Sequence, residues 1–290
     1  VVDKSLGGRV FDGVIITVLL IFGLITIVPF IHVIAASFAS QKAYMESTFM
    51  LFPTEFSLNA YKYIFSTDVL TRSLLTTICI TAVGTMINLI MTSLLGYSLS
   101  RNNVHFKKTI MFMIVFTMIF QGGMIPLFLI VKSLGMLNSY WSLLLPSAIS
   151  PFLLIVLINF FKNLPDGLEE SAKIDGCGDL RLLLQIVLPL SKPALATLTL
   201  FYAVGHWNTY MSALLYLNDS KMWPIQVLLR QIVLVSQAGL AESSVQDAAE
   251  IAPDTVRMAV ITVATFPILC IYPFLQKHFA KGMLLGSVKG

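Results

Sequence analysis

The residues of this chain whose types and spacing could do chemistry fall into two groups, one compact and charged, the other aromatic and polar along helical stripes. The compact group lies between Lys162 and Lys192, where Asp166, Glu169, Glu170, Ala172, Asp175, Gly176 and Pro189 stand among leucines. Asp166 with Glu169 three residues later is the capping-box arrangement in its Asp form, so Asp166 is expected to be the N-cap of a helix that continues through Ile174. Gly176 and Gly178 readily leave helical geometry, and a second helix, with Leu180, Leu183, Leu184 and Val187 on one side, is expected to run to Pro189. A helix, a turn and a helix with charged and apolar sides suit docking into a groove on a soluble partner.

The second group is a pair of stripes. Thr77, Thr81, Thr85, Asn88 and Thr92 share one helical face, which either lines a hydrophilic path or holds two helices together; the second reading is favoured. Thr197, Phe201, Asn208 and Ser212 form a similar stripe near His206, Trp207 and Tyr210. An aromatic ring beside an amide can hold a sugar, so Asn88, Phe201, His206, Trp207, Asn208 and Tyr210 are candidates for a substrate path. Equally, Trp207 and Tyr210 fit an interfacial belt and Asn208 a bond across a helix pair. His32, His105 and His278 are isolated and no histidine pair has metal-ligand spacing, so no metal is expected. Cys79, Cys177 and Cys270 lack any CxxC spacing and read as packing residues.

The elements that position these groups must live in lipid. Of 290 residues 57% are apolar and only 12% charged, against roughly 25% charged in soluble domains. Six apolar blocks, 14–38, 74–99, 109–131, 141–161, 194–217 and 256–276, are expected to be spans of one all-α membrane domain. The first is longer than the apolar core of a signal peptide and reads as a retained anchor, despite Ala35-Ala36-Ser37. Pro29, Pro126, Pro146, Pro267 and Pro273 within the blocks predict kinks.

With the N-terminus inside, twelve basic residues (Lys4, Arg9, Arg101, Lys107, Lys108, Lys162, Lys173, Arg181, Lys192, Lys277, Lys281, Lys289) face the cytoplasm and seven face outward. The positive-inside rule therefore puts both termini and the 162–192 loop in the cytoplasm. No Lys, Arg, Asp or Glu lies deep in a block, which removes the usual coupling site of a secondary transporter. There is no GxxxxGK[ST] loop to cradle ATP, no nucleophile and base set for an enzyme, and no basic cluster with interleaved aromatics for nucleic acid.

The loop carries a resemblance. Glu170-Ser171-Ala172-x-x-Asp175-Gly176 with Ile186-x-Leu188-Pro189 resembles the EAA motif of binding-protein-dependent ABC importer permeases. Serine and cysteine stand at 171 and 177 where that family commonly has alanine, and Leu183 where it has an aromatic. Tyr140-Trp141, Lys192-Pro193-Ala194 and Trp207-Asn208 are similar to the MalG-like sugar permease family, and nearly the whole chain to its LplC/YtcP-like oligosaccharide or polysaccharide branch.

The resemblance implies a six-span MetI-like type I permease fold with a core at about 70–276, a coupling loop at 162–192 and a cytoplasmic tail at 277–290. It implies that Glu169, Glu170, Ala172, Asp175, Gly176 and Pro189 couple the permease to an ATPase, Glu170 through a polar contact. It implies that Gly286, Ser287, Val288, Lys289 and Gly290 reach, as an extended tail, between two ATP-binding subunits. The chain would be a non-enzymatic permease subunit in a bacterial cell membrane, importing a carbohydrate, with a non-sugar solute such as a peptide or a phosphate ester as the alternative. Its partners would be a second homologous permease subunit, two ATP-binding subunits that hold ATP and Mg, and an extracellular solute-binding protein. The segments near 39–73 and 218–255, expected outside, would offer that protein a surface, although Lys221–Arg230 also reads as an amphipathic helix on the membrane surface.

Overall fold

A computed structural model describes residues 6–66, 68–101, 104–238 and 254–287; the side chains of Leu6, Arg9, Asp166, Leu168, Glu170, Val233, 235–238 and 271–287 lie outside the description. Among the described residues the chain is helical, with no β-strand and one isolated bridge, Ala39 to Phe56. It packs as two compact units, one within Val1–Thr71 and Leu229–Phe266, the other within Arg72–Leu228 and Pro267–Gly290.

The first unit begins with α1 (Leu6–Ser37), in which Val10–Ser37 is long and apolar enough to cross a bilayer. At 1.5 Å per residue it reaches about 42 Å, against a hydrocarbon core of about 30 Å. Its most apolar stretch is not buried anywhere in the chain, as suits a helix solvated by lipid. At its end Ala35 joins Ala39, Ala43 and Met50 in a small core. There α2 (Gln41–Glu46) is capped by Ser40, whose Oγ accepts from Ala43 N at 3.2 Å, and α3 (Asn59–Ser66) follows. Phe38 stacks on both Phe56 and Tyr61, and His32 on Phe49.

The second unit is organised on α4 (Asp68–Ser100), also long and apolar enough to span. The block 109–131 does not fold as one helix: α5 (Lys107–Ile119) and α6 (Met124–Ser133) meet at 119°. Gly123, at φ +82°, takes a backbone conformation that residues with a Cβ resist, and Pro126 follows in the first turn of α6. The block 141–161 is likewise split into α7 (Trp141–Leu144) and α8 (Pro151–Lys162), with Pro146 between them. α8 is about 18 Å long, too short to cross alone.

After α8 come α9 (Asp166–Ile174) and α10 (Asp179–Leu182), then a π-helical turn, Leu183–Val187, and α11 (Leu188–Leu190). The chain then bends by 85° into α12 (Lys192–Trp207). The block 194–217 is interrupted at Asn208–Tyr210 before α13 (Met211–Tyr216). Among the described residues, two helices pass as spans by length and apolarity, or four if each bent pair counts as one. The apolar blocks are therefore real, but three of them are broken helices.

α14 (Ile225–Ala238) starts with Ile225, Val227 and Leu228 buried, Val227 against Ile80, Val131 and Tyr216. Its first turn is thus docked in protein. α15 (Asp254–Ser287) continues the last block as helix through Gly282 and Gly286. An extended tail from 277 is therefore not what the backbone adopts up to Ser287; Val288, Lys289 and Gly290 lie outside the described residues.

Candidate functional site

Two places in the second unit gather the residues singled out by the sequence. The first is α9 and its turn. The helix starts one residue earlier than the capping box implies: Pro165, at φ −60° and ψ 123°, is the N-cap and no side chain caps it. A proline fits there because a helix's first N–H groups have no partner in any case, and Asp166 then lies in the first turn, where the helix dipole favours a carboxylate. Glu169, freed from capping, forms an ion pair with Arg101 just beyond α4.

The exit from α9 is a complete Schellman motif. Cys177 N donates to Ala172 O at 2.9 Å and Gly176 N to Lys173 O at 3.0 Å, with Asp175 as C-cap and Gly176 at φ +76°. Ala172, one turn before the end of the helix, is buried beside Tyr97, Leu157, Phe161, Leu183 and Leu198. Ile174, by contrast, is 86% exposed. Beyond the turn, Leu182, Leu183 and Val187 are buried while Leu180 and Leu184 are exposed, so the four leucine and valine positions expected on one side are divided between two. Leu180 and Leu184, four residues apart, share the exposed side, and Leu183 and Val187, also four apart, the buried one. Pro189 sits in α11, just before the 85° bend at Ser191. Glu170 is in α9 by its backbone, and its side chain lies outside the described residues.

The second place is the crossing of α4 with α12. Thr77 Oγ accepts from Ile225 N at 2.8 Å, and Thr92 shares a 2.7 Å hydrogen bond with Tyr202, whose hydroxyl also accepts from Ser150 N at 3.1 Å. Asn88 Nδ2 donates to Ser147 O at 2.5 Å, leaving Oδ1 to accept from His206 Nε2 at 2.6 Å. The threonine stripe thus bonds elements together at Thr77, Asn88 and Thr92; the buried hydroxyls of Thr81 and Thr85 have no hydrogen-bond partner among the described residues. Where a polar group meets only lipid or protein, pairing it is the cheapest arrangement.

Beside this crossing is a cavity of about 500 Å³ lined by Phe201, Tyr202, His206, Ser147, Ser150 and Thr209, among others. Phe201 and His206 of the pathway candidates line it, and Asn88 reaches it through His206. Among the described residues the lining does not include Trp207, Asn208 or Tyr210. Trp207 is buried, Asn208 donates to its own helix at Val204 O (2.9 Å), and Tyr210 packs against the cluster around Tyr216. The walls mix aromatic, aliphatic and hydroxyl-bearing side chains with no carboxylate or ammonium, a surface that can meet hydroxyl-rich groups.

Three residues of these sites were not singled out from sequence. Gly84 is one: a Cβ there would lie 2.5 Å from His206 Nε2 and 2.6 Å from Cε1, so only glycine lets the imidazole lie on α4. Its position four residues before Asn88, on the same face, is the signal. Tyr202 is another, one position from Phe201 and facing α4. The third is Arg101, which the charge count treats as one topological marker among twelve.

A family model described as "Binding-protein-dependent transport system inner membrane component" matches residues 93–285, which take in α9 with its turn and the α12 side of the crossing. The chain is 58% identical over 283 residues to the polygalacturonan/rhamnogalacturonan transport system permease protein YtcP of Bacillus subtilis, covering 97% of this chain and 99% of that one. It is 50% identical to protein LplC of the same organism, over 98% of this chain and 96% of the other. A crystal structure of a bacterial ABC transporter involved in import of the acidic polysaccharide alginate includes a chain that superposes with a TM-score of 0.87 at 31% identity, covering 96% of this chain and 99% of that one. Such permeases are membrane transport subunits rather than enzymes. With a helical membrane fold, a glycine-terminated loop helix and full-length likeness all in agreement, this chain belongs to the family of binding-protein-dependent transport system inner membrane components.

Proposed function

We propose that this chain forms half of the translocation pathway of an ATP-driven importer for oligosaccharides or polysaccharide fragments, and that α9 receives the motion of an ATP-binding subunit. The observation that carries this reading is α9 itself. Its Schellman turn and buried Ala172 fix it to the second unit, while Ile174 is left 86% exposed at its end. An apolar side chain presented at the end of a short, well-terminated helix is the form of a knob for a partner's groove.

In this reading Glu170 makes the polar contact, Asp175 and Gly176 hold the turn, and Pro189 marks where the loop bends into α12. A second permease subunit completes the path, and two ATP-binding subunits hold ATP and Mg. A solute-binding protein delivers the sugar from outside, and Gly286 to Gly290 contact the ATP-binding subunits. The chain sits as one permease domain in the bacterial cell membrane with both termini cytoplasmic, as the distribution of Lys and Arg supports. The carbohydrate class is supported by the polygalacturonan/rhamnogalacturonan relative, the alginate importer, and the aromatic and hydroxyl walls of the cavity.

The test is uptake by the intact complex in proteoliposomes loaded with ATP, offered labelled fragments of polygalacturonan, of alginate and of a neutral glucan, with a dipeptide and a phosphate ester alongside. Uptake of at least one carbohydrate that depends on internal ATP is expected. Uptake confined to the dipeptide or the ester, or independent of ATP, contradicts the proposal.

A further inference from the structure

The coupling reading names what α9 shows to a partner, but not how a displacement of α9 would reach the spans. Ala172 touches the core through a methyl group alone, which transmits a push but not a pull. A directional, two-way attachment needs a bond that resists separation, and the described residues of α9 offer one. Glu169 turns away from solvent, its side chain 12% exposed, and pairs with the Arg101 guanidinium, 23% exposed.

Arg101 is held at two other points, its guanidinium and its carbonyl. Its guanidinium lies 4.7 Å from the centroid of the Tyr97 ring, one turn back on α4. That ring meets Phe161 of α8 edge-on at 6.4 Å. Lys107 Nζ donates to Arg101 O at 2.6 Å, tying the C-terminal carbonyls of α4 to the start of α5. The arginine is thus the rigid end of a span rather than a loose surface cation, and its planar fork can fix direction as well as distance. Its Nε and Nη2 are both buried without a hydrogen bond among the described residues, so the tie to Glu169 is an ion pair. A cavity of about 380 Å³ beside it, lined by Tyr97, Arg101, Lys173, Asp179 and Leu183, leaves room for α9 to shift against α4. Lys173 faces Asp179 at 3.9 Å there, so no unpaired cation is left to call for an anionic ligand.

We propose that the Arg101–Glu169 pair is the tie by which α9 drags the end of α4, making Arg101 a positioning residue for transport. This rests on α9 being the coupling helix, and it reassigns Glu169 from facing the ATPase to gripping the permease's own span. Loss of the tie lets α9 move without moving the pathway, so hydrolysis continues to be triggered but is spent without transport.

The experiment measures sugar uptake per ATP hydrolysed by the intact importer in proteoliposomes with its binding protein. Arg101→Gln and Glu169→Gln are each expected to lower that ratio at least tenfold, and the exchanged pair Arg101→Glu with Glu169→Arg to recover at least a third of it. If Arg101→Gln does not assemble, Arg101→Lys carries the test; it keeps the charge without the fork and is expected to lower the ratio about threefold. An unchanged ratio in the single variants, or equal loss in the exchanged pair and the singles, overturns the tie. Glu170→Ala measured in parallel separates the two proposals. Loss of stimulated hydrolysis there with an unchanged ratio in Arg101→Gln sinks the tie alone, and no effect in either sinks the coupling role of α9 as well.

Discussion

Gly84 and Gly176 show two opposite reasons for which a chain needs glycine. At Gly84 the backbone is ordinary helix and the space is full, since an added Cβ would meet the His206 ring at 2.5 Å. At Gly176 the space is empty, with nothing within 4 Å of an added Cβ, and the backbone is what excludes other residues, at φ +76°. The first belongs to a crossing where Thr77, Asn88 and Thr92 of α4 are hydrogen-bonded to other elements. The second belongs to an open turn that presents Ile174 outward. Packing governs one and backbone conformation the other, so substitutions should tell them apart.

The largest effect is expected from Gly84→Ala. The imidazole would have to shift off α4, away from its 2.6 Å bond to Asn88, and overpacking of this kind costs about 1–3 kcal/mol. In detergent stability measurements His206→Ala in the same chain should recover most of the loss, while Gly84→Asn should be no better than alanine.

Gly176→Ala should cost about 1–2 kcal/mol, the penalty for a left-handed residue with a Cβ. Here Gly176→Asn should recover a good part, because asparagine tolerates that conformation. Opposite responses to asparagine at the two positions would confirm the contrast, and identical responses would remove it.

Asn88→Ala removes the link between α12 and the chain at Ser147, and a bond of this type in a membrane protein is worth about 0.6–2 kcal/mol. The smallest effect on stability is predicted for Ile174→Ser, within about 0.5 kcal/mol, since the side chain is almost wholly exposed. Its effect should appear instead in pull-down of the ATP-binding subunits, which weakens if Ile174 is a contact and is unchanged if it is not.

Much of this was legible in sequence because the signals were local. The α9 helix, the stop at Gly176 and the glue function of the threonine stripe follow from residue types at short spacing, and the structure bears them out. The breaks within the apolar blocks were harder. Hydropathy sees Phe120-Gln121-Gly122-Gly123 as a dip in an apolar run, whereas the positive φ at Gly123 makes it a reversal of direction. The π turn at Leu183–Val187 leaves no mark in composition, and neither does the exposure of Leu180 and Leu184 among buried leucines. Arg101 and Glu169 are 68 positions apart, and only the packing of α9 against the end of α4 shows that a topological charge and a capping candidate are one pair.

The coupling role of α9 is the claim on which the rest depends, and binding-protein-stimulated ATPase activity tests it most directly. In the intact importer, Glu170→Ala and Gly176→Val, each checked for assembly, are predicted to lose both stimulated hydrolysis and uptake at least tenfold. Assembled complexes in which both activities match the unaltered importer would contradict the account.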